Sequence, residues 1–179
     1  MFAKKQILIF IVLLGGSAVL VSYAYGLKLN MGGTIPLWGG VPAWLLPYYQ
    51  LNMLLAAAGF FAYTYFIIIH LDPAEARIAI RFHFSLFNIL YVLILVPSAL
   101  WLPLTVAMLK QPGTTLWVGI CLVLDLVALA SIGMLWALLS LNQRNPTWAY
   151  LAAVIGSIFF SVQTAILDAI VWTAFFPLP

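Results

Sequence analysis

The sequence has very little charge. Asp, Glu, Lys and Arg make up 6% of its 179 residues, whereas 66% of the residues are hydrophobic. Such a composition leaves too little polar surface to cover a water-soluble fold of this length. We therefore expect a protein whose fold is set by lipid rather than by water.

The sequence also lacks the residue clusters that several chemistries need. Cys121 is the one cysteine, so no internal disulfide can form. An H-x-x-x-H cluster, a CxxC pair, a Walker-type loop and a serine elbow are all absent, which removes support for metallo-oxidase, redox and nucleotide chemistry. No basic run indicates nucleic acid. We expect a protein that is not an enzyme, has no cofactor and has no nucleic-acid partner.

Long apolar runs dominate what is present. Each is longer than the roughly 20 residues that cross a bilayer. None alternates polar and apolar residues as a barrel strand does, so helices are the structure that satisfies their backbone groups. The sequence predicts an all-α integral membrane protein, one domain of residues 1–179 folded as a five-transmembrane-helix bundle. The predicted helices cover residues 6–26, 46–69, 82–109, 115–141 and 148–176.

Basic residues are unevenly distributed between the two sides of this bundle. Five crossings place the N-terminus, the 70–81 loop and the 142–147 loop on one side. The opposite side carries Lys28 and Lys110. The positive-inside rule therefore predicts a cytoplasmic N-terminus and an outside C-terminus. The basic residues on the predicted cytoplasmic side are Lys4, Lys5, Arg77, Arg81 and Arg144.

Two connections have informative compositions. Residues 27–45 contain glycines and prolines that forbid regular structure, together with Trp38 and Trp44, which water does not favour. We expect this segment to fold over the outer face of the bundle. On the inner side, Asp72 and Pro73 have the pattern of a helix N-terminus, which predicts a brief helix before the third segment.

Two carboxylates lie within apolar helices. Asp125 is near the middle of the fourth segment, and Asp168 is about two turns from the outer end of the fifth. A charged carboxylate at such depth costs about 2.5–3.5 kcal/mol on insertion scales, so we expect both to face the bundle interior. α-Helical spacing offers Asp168 the hydroxyls of Ser161 and Thr164, while Asp125 needs a partner from elsewhere. Structural hydrogen bonding, a ligand-binding role and proton relay remain open.

Five of the seven tryptophans lie on the predicted outer side of the bundle. They are Trp38, Trp44, Trp101, Trp117 and Trp172. Interfacial anchoring accounts for part of this asymmetry. Together with the Gly/Pro-rich cover and the two acids, it also predicts an aromatic-lined cavity for an apolar, flat or bulky ligand. The candidate ligand-binding residues are Trp38, Trp44, Tyr48, Asn88, Trp101, Asp125, Asp168 and Trp172.

Four segments are similar to motifs of one known family. Leu122–Leu126 is similar to its L-V-D-L segment in helix four, and Leu167–Trp172 to its L-N-x-x-x-W segment in helix five, with Asp168 in place of Asn. Trp101–Pro103 is similar to its W-x-P region, and Pro42–Tyr63 to its P-P-x-W…Y stretch. With these segments the chain resembles the TspO/MBR family, the tryptophan-rich sensory or translocator proteins.

This resemblance has consequences for both fold and function. It implies five membrane helices with the first loop over a ligand cavity, and a receptor or sensor that binds porphyrins, other tetrapyrroles or sterols. It also implies stress- or tetrapyrrole-linked regulation and a homodimer. By position, Trp44, Trp101, Asp168 and Trp172 would line or cap the cavity.

A second interpretation is a non-catalytic accessory subunit of a larger membrane complex. His70 and His83 lie near the inner ends of consecutive segments, which leaves a haem- or pigment-associated role open. The fifth segment has a small side chain at every fourth position, and such a row packs helices together within one bundle or against a partner membrane subunit. The row consists of Ala149, Ala153, Ser157, Ser161, Ala165, Ala169 and Thr173.

Overall fold

The structure is a computed structural model that describes residues 2–29 and 37–176. Within those ranges, five helices are long and apolar enough to cross a membrane. The predicted all-α class with five long helices is confirmed to this extent. The helices are α1 (Phe2–Leu29), α2 (Leu46–Tyr65), α3 (Ser85–Lys110), α4 (Thr114–Leu139) and α5 (Thr147–Ser161).

Two helices continue with a wider turn. α2 extends through Phe66–His70, and α5 extends through Val162–Trp172, both with the i→i+5 hydrogen bonding of a π-helix. One α-helical turn, Thr173–Phe175, then ends the fifth helix. The π-helical part of the fifth helix carries Asp168, so the register of this segment decides which side chains can reach that carboxylate.

The helices pack as a ring in the order α1, α3, α4, α5, α2. The ring closes where α1 contacts Phe66–His70. The closest approach joins α2 and α5, because a Cβ built on Gly59 would lie 2.2 Å from the carbonyl oxygen of Gly156. The backbones of these two helices therefore touch directly. Gly156 stands beside the predicted row of small residues and was not part of it.

One end of the ring holds the N-terminus of α1 and the α2–α3 and α4–α5 connections. We call it the basic end. The Lys5 ammonium donates to the carbonyl of Leu71 over 3.1 Å, and the backbone N–H of Asp72 donates to the Gln143 side chain over 3.0 Å. These bonds tie the three segments together. The exposed basic residues at this end include Lys4, Arg77, Arg81 and Arg144.

A small hairpin stands at the basic end, where the sequence predicts a brief helix. β1 (Arg77–Ile78) pairs antiparallel with β2 (Phe82–His83). The Asn142 side chain accepts a bond from the backbone N–H of Arg77 over 2.8 Å and donates to the Glu75 carbonyl over 3.1 Å. The brief helix predicted from Asp72 is limited to one turn, in which the Asp72 carboxylate accepts from the Ala74 N–H and its carbonyl from the Ala76 N–H. It does not continue, because Asn142 and the hairpin ladder pair the backbone groups that follow.

The opposite end of the ring holds the α1–α2 and α3–α4 connections and the end of the fifth helix. We call it the aromatic end. Its core contains Tyr49, Met108, Leu124 and Trp172, whereas the core of the basic half is built around residues such as Tyr91. Two separate apolar cores therefore stabilise the two halves of the bundle.

Candidate functional site

Three indoles and a phenyl ring meet at the aromatic end. Trp172 is at the centre and is only 2% exposed. Its ring lies 4.4 Å from that of Phe176, edge-on to Trp101 at 5.9 Å, and stacked on Trp117 at 6.2 Å between centroids. We call Trp101, Trp117, Trp172 and Phe176 the aromatic cluster. Its members come from α3, α4, the fifth helix and the residue that directly follows that helix, so the fold joins rings that are distant in sequence.

A lid formed by residues 37–45 lies against this cluster. The Trp172 indole N–H donates to the Leu37 carbonyl over 2.9 Å, and the backbone N–H of Gly40 donates to the Phe175 carbonyl over 2.8 Å. A Cβ at Gly40 would lie 2.6 Å from that same oxygen, so this close approach requires glycine. The lid therefore docks on the last turn of the fifth helix. Residues 30–36 of the predicted cover lie outside the described residues.

A polar network stands beside the aromatic cluster. The Asp168 carboxylate accepts hydrogen bonds from the Tyr49 hydroxyl and from the Gln163 amide, both over 2.9 Å. Asn52 in turn donates to the Gln163 side-chain oxygen over 3.0 Å. We call these four residues the Asp168 network. It joins α2 to the fifth helix inside an otherwise apolar core, where each unmade bond would cost about 1–3 kcal/mol.

The predicted partners of Asp168 are wrong. Thr164 instead bonds to Ser131 on α4 over 2.7 Å. The Ser161 hydroxyl is buried without a partner among the described residues. The reason is the helical register: Gln163 precedes Asp168 by five positions, which is the spacing that i→i+5 bonding brings into contact. Sequence reasoning assumed α-helical spacing and so missed Gln163.

The prediction that Asp125 faces the bundle interior is also wrong. Its side chain is exposed, on the side of α4 that carries the exposed Leu122 and Leu129. The interior side of α4 presents Leu124 and Ala128 instead. α4 packs against α3 and the fifth helix through that apolar side, which turns Asp125 outward.

The remaining candidate residues separate into two groups. Trp38 joins the site through edge-on contact with Tyr49, at 5.2 Å between ring centroids. Trp44 and Tyr48 are 70% and 66% exposed, and the structure does not bring them to the aromatic cluster. Asn88 lies at the basic end, where its amide donates to the Lys4 carbonyl over 3.3 Å.

Tyr49 is a site residue that sequence reasoning missed. Tyr48 and Tyr49 are the same residue type at adjacent positions, and only the helix rotation of about 100° per residue sends one outward and one inward. Trp117 was assigned to the outer side but not to the site, and Phe176 lies near the chain end, where no pattern marked it. The signal for both was their position near the outer ends of predicted helices.

One donor at the site has no acceptor among the described residues. The Trp101 indole nitrogen is buried and unpaired, while its ring also contacts Tyr23 from α1 at 6.0 Å. Leaving such a group unpaired costs about 1–3 kcal/mol. The site thus combines packed apolar ring faces with a buried N–H donor and a carboxylate acceptor, Asp168, which are side-chain types that line sites for mostly apolar molecules. The recesses lined by Lys4 and by Phe10 lie elsewhere, so the aromatic-lined cavity stays a prediction.

Comparison with known proteins adds no further constraint. No protein-family model matches the chain, and neither a curated protein nor a solved structure was found to match it. In the part of the chain that the structure describes, no three His, Cys, Asp or Glu side chains lie close enough together to hold a metal ion. Functional conclusions therefore depend on the geometry of the aromatic end and on the sequence patterns.

Proposed function

We propose that the protein is a multi-pass membrane receptor or sensor related to the TspO/MBR family. It binds an apolar small molecule, a porphyrin or other tetrapyrrole or a sterol-like compound, at the aromatic end. The observation that carries this proposal is the buried Trp101 N–H, which has no acceptor among the described residues, within an aromatic cluster against which the lid packs. A ligand acceptor would satisfy that donor, while the rings supply apolar contact area.

The outer surface of the helices supports the membrane location. Large apolar side chains such as Leu20 on α1, Leu54 on α2 and Leu129 on α4 are exposed. A surface of this kind, extending around the ring, is unfavourable in water and favourable in lipid. The cations of the basic end support the proposal of a cytoplasmic N-terminus and, with it, an outer location for the aromatic end and its lid.

The way the lid is attached supports ligand entry at the aromatic end. Two hydrogen bonds hold Leu37 and Gly40 to the fifth helix. Their net contribution is about 2 kcal/mol in total, since one intramolecular hydrogen bond contributes about 0.5–1.5 kcal/mol. Trp38 and Val41 of the lid also pack in the aromatic-end core, so opening the lid costs more than these two bonds. Contact of a flat molecule with the aromatic cluster would offset part of that cost.

Removing the Trp101 N–H tests this proposal. Trp101→Phe keeps an aromatic ring but loses the donor, so we expect protoporphyrin IX to bind about fivefold to tenfold more weakly, the loss of roughly one hydrogen bond. The measurement is titration of purified protein in detergent, followed by porphyrin absorbance so that the readout does not depend on tryptophan emission. Asp168→Asn tests the acceptor in the same assay.

Trp44→Phe is the matched control, because Trp44 is exposed and outside the aromatic cluster. It should bind the porphyrin as the unmodified protein does. Equal affinity in the Trp101→Phe, Asp168→Asn and Trp44→Phe proteins, with all three folded by circular dichroism, would contradict a site at the aromatic end. A photoreactive sterol offers the same comparison through crosslinking yield.

The exposed Asp125 favours a second candidate function, that of an accessory subunit. Asp125 belongs to a row on α4 whose members follow each other by three or four positions, the spacing of a helix–helix seam. An unpaired carboxylate on a lipid-facing helix costs about 2.5–3.5 kcal/mol, and a donor from another helix would offset that cost. We call this row the α4 seam: Val118, Leu122, Asp125, Leu129, Ile132 and Trp136.

Size-exclusion chromatography in mild detergent tests the α4 seam. If Asp125 joins this chain to a partner subunit or to a second copy, Asp125→Leu should shift the protein from an assembly to a monomer. Asp125→Asn, which keeps hydrogen-bonding capacity, should retain the assembly. Elution of the unmodified protein as a lone monomer, or an assembly that survives Asp125→Leu, would exclude this role for Asp125.

A further inference from the structure

A recess at the basic end combines positive charge with an apolar floor. It lies between the start of α1 and the start of α3 and has a volume of about 430 Å³. Three nitrogen-bearing side chains reach it from three segments: one from α1, one from the hairpin turn and one from β2. The lining residues used below are Lys4, Arg81, His83, Ser85, Phe82 and Ile89.

The basic groups of this recess are available to a ligand. Lys4, Arg81 and His83 are exposed, and the hydrogen bonds between described residues do not involve their side-chain nitrogens. The α2–α3 connection also carries two acids, but the Asp72 carboxylate accepts from the Ala74 backbone N–H over 2.8 Å, and neither Asp72 nor Glu75 lines the recess. An anionic group is therefore the complementary ligand, and the Ser85 hydroxyl adds a further donor.

A second recess, an apolar groove, lies further along the same pair of helices. It has a volume of about 360 Å³ and is lined by Phe10, Leu14 and Ala18 on α1 and by Val92 and Val96 on α3. Its surface is almost wholly apolar, unlike that of the first recess. A hydrocarbon chain fits such a surface, and a free phosphate has nothing to bind there.

The two recesses follow each other along α1 and α3, and on α1 six positions separate Lys4 of the first from Phe10 of the second. On α3 the first ends at Ile89 and the second begins at Val92, less than one turn away. On α1 the groove runs from Phe10 to Ala18, roughly 12 Å at 1.5 Å per residue. One leaflet of the hydrocarbon core is about 15 Å thick, so the groove covers most of one leaflet. We call the two recesses between α1 and α3 together the α1–α3 seam: a polar head site lined by Lys4, Arg81 and His83, followed by an apolar chain site.

The hairpin beside the head site has the character of a segment at a membrane surface. Its turn presents Ile80, which is 94% exposed, next to the exposed Arg81. Ile80 has a φ of 65°, a left-handed conformation that β-branched residues rarely adopt. An exposed apolar side chain adjacent to a cation is favourable where acyl chains meet head groups.

We propose that the α1–α3 seam binds a phospholipid with an anionic head group. The phosphate is held by Lys4, Arg81 and His83, and one acyl chain lies in the groove between Phe10 and Ala18. This inference assumes the proposed membrane location but not the ligand site at the aromatic end. A lipid that bridges α1 and α3 would also hold together two neighbouring helices of the ring.

Lipid retention measured by native mass spectrometry tests the proposal. The full chain in dodecyl maltoside is incubated with phosphatidylglycerol or with phosphatidylcholine of the same acyl chains. We expect phosphatidylglycerol to be preferred, and the preference to fall about 25-fold in the K4Q/R81Q double variant, roughly fivefold for each cation. The matched control is K28Q/K110Q, which removes the same charge at the aromatic end.

Two further arms separate a lipid from a free anion. Ala18→Phe fills the groove without touching the cations, and should weaken binding of long-chain phosphatidylglycerol but not of its dihexanoyl form. Inorganic phosphate should not displace the lipid. Displacement by phosphate would overturn the lipid assignment in favour of a free-anion site.

The remaining outcomes are equally decisive. Retention of the phosphatidylglycerol preference in K4Q/R81Q would overturn the site. An equal loss of the preference in K28Q/K110Q would also overturn it, because the protein would then respond to net charge alone. Both double variants alter exposed residues, and thermal unfolding in detergent is the check that they fold. Porphyrin titration of K4Q/R81Q should be unchanged, so failure here is distinguishable from failure at the aromatic end.

Discussion

Gly59→Ala and Gly156→Ala are each expected to lower the free energy of unfolding by about 3 kcal/mol. A Cβ at Gly59 would lie 2.2 Å from the Gly156 carbonyl oxygen, and one at Gly156 would lie 2.5 Å from the Gly59 Cα. Both obstacles are backbone atoms, which cannot rotate away as a side chain can. α2 and α5 must therefore separate, and overpacking of this kind costs about 1–3 kcal/mol or more.

The measurement is unfolding of the purified protein in mixed micelles of mild detergent and dodecyl sulfate, followed by circular dichroism. Gly16→Ala and Gly119→Ala are the matched controls, because a Cβ at either position meets nothing within 4 Å. Since alanine favours the helix over glycine, these controls should be neutral or slightly stabilising. Equal stability of Gly59→Ala and Gly16→Ala would show that α2 and α5 do not meet at these glycines.

Trp172→Ala is expected to have an effect of similar or larger size, about 3–5 kcal/mol, the cost of removing a large buried aromatic side chain. Trp172 is 2% exposed, contacts Trp101, Trp117 and Phe176, and bonds to the lid. Its removal leaves a cavity at the centre of the aromatic cluster. It also releases the Leu37 carbonyl, so the lid should become more sensitive to limited proteolysis.

Two other variants separate these contributions. Trp172→Phe keeps most of the ring volume and loses the N–H donor, so it should cost about 1 kcal/mol and still expose the lid to protease. Trp44→Ala changes an exposed tryptophan and should alter detergent stability by no more than about 0.5 kcal/mol. Comparable losses in Trp172→Ala and Trp44→Ala would mean that the cluster does not pack as described.

The long helices and the two ends of the bundle were predictable from the sequence. The length and apolarity of each run indicated its helix, and the order of the runs placed Lys4, Arg81 and Arg144 at one end. The same order placed Trp101 and Trp172 at the other end, where the structure brings them into edge-on contact. Each of these conclusions uses composition and order along the chain, which do not require knowledge of which residues touch.

The details of the site were not predictable in this way. Asp125 faces outward although its depth favoured an interior position, because the packing of α4 determines which side of that helix is buried. Gln163 contacts Asp168 because the fifth helix changes to i→i+5 bonding, a change that no local pattern marked. Tyr49 enters the site while Tyr48 does not, through a difference of one helix position.

The apolar runs and the distribution of charge and tryptophan establish the helices, their number and the character of each end, because hydropathy is a property of a residue and its neighbours in the chain. Side-chain direction is a different kind of property. The Gly59–Gly156 contact and the Asp168 network exist only when two helices are packed at a particular rotation, and adjacent positions on a helix differ in direction by about 100°. Interhelical packing therefore selects the inward-facing residues and, with them, the composition of the site.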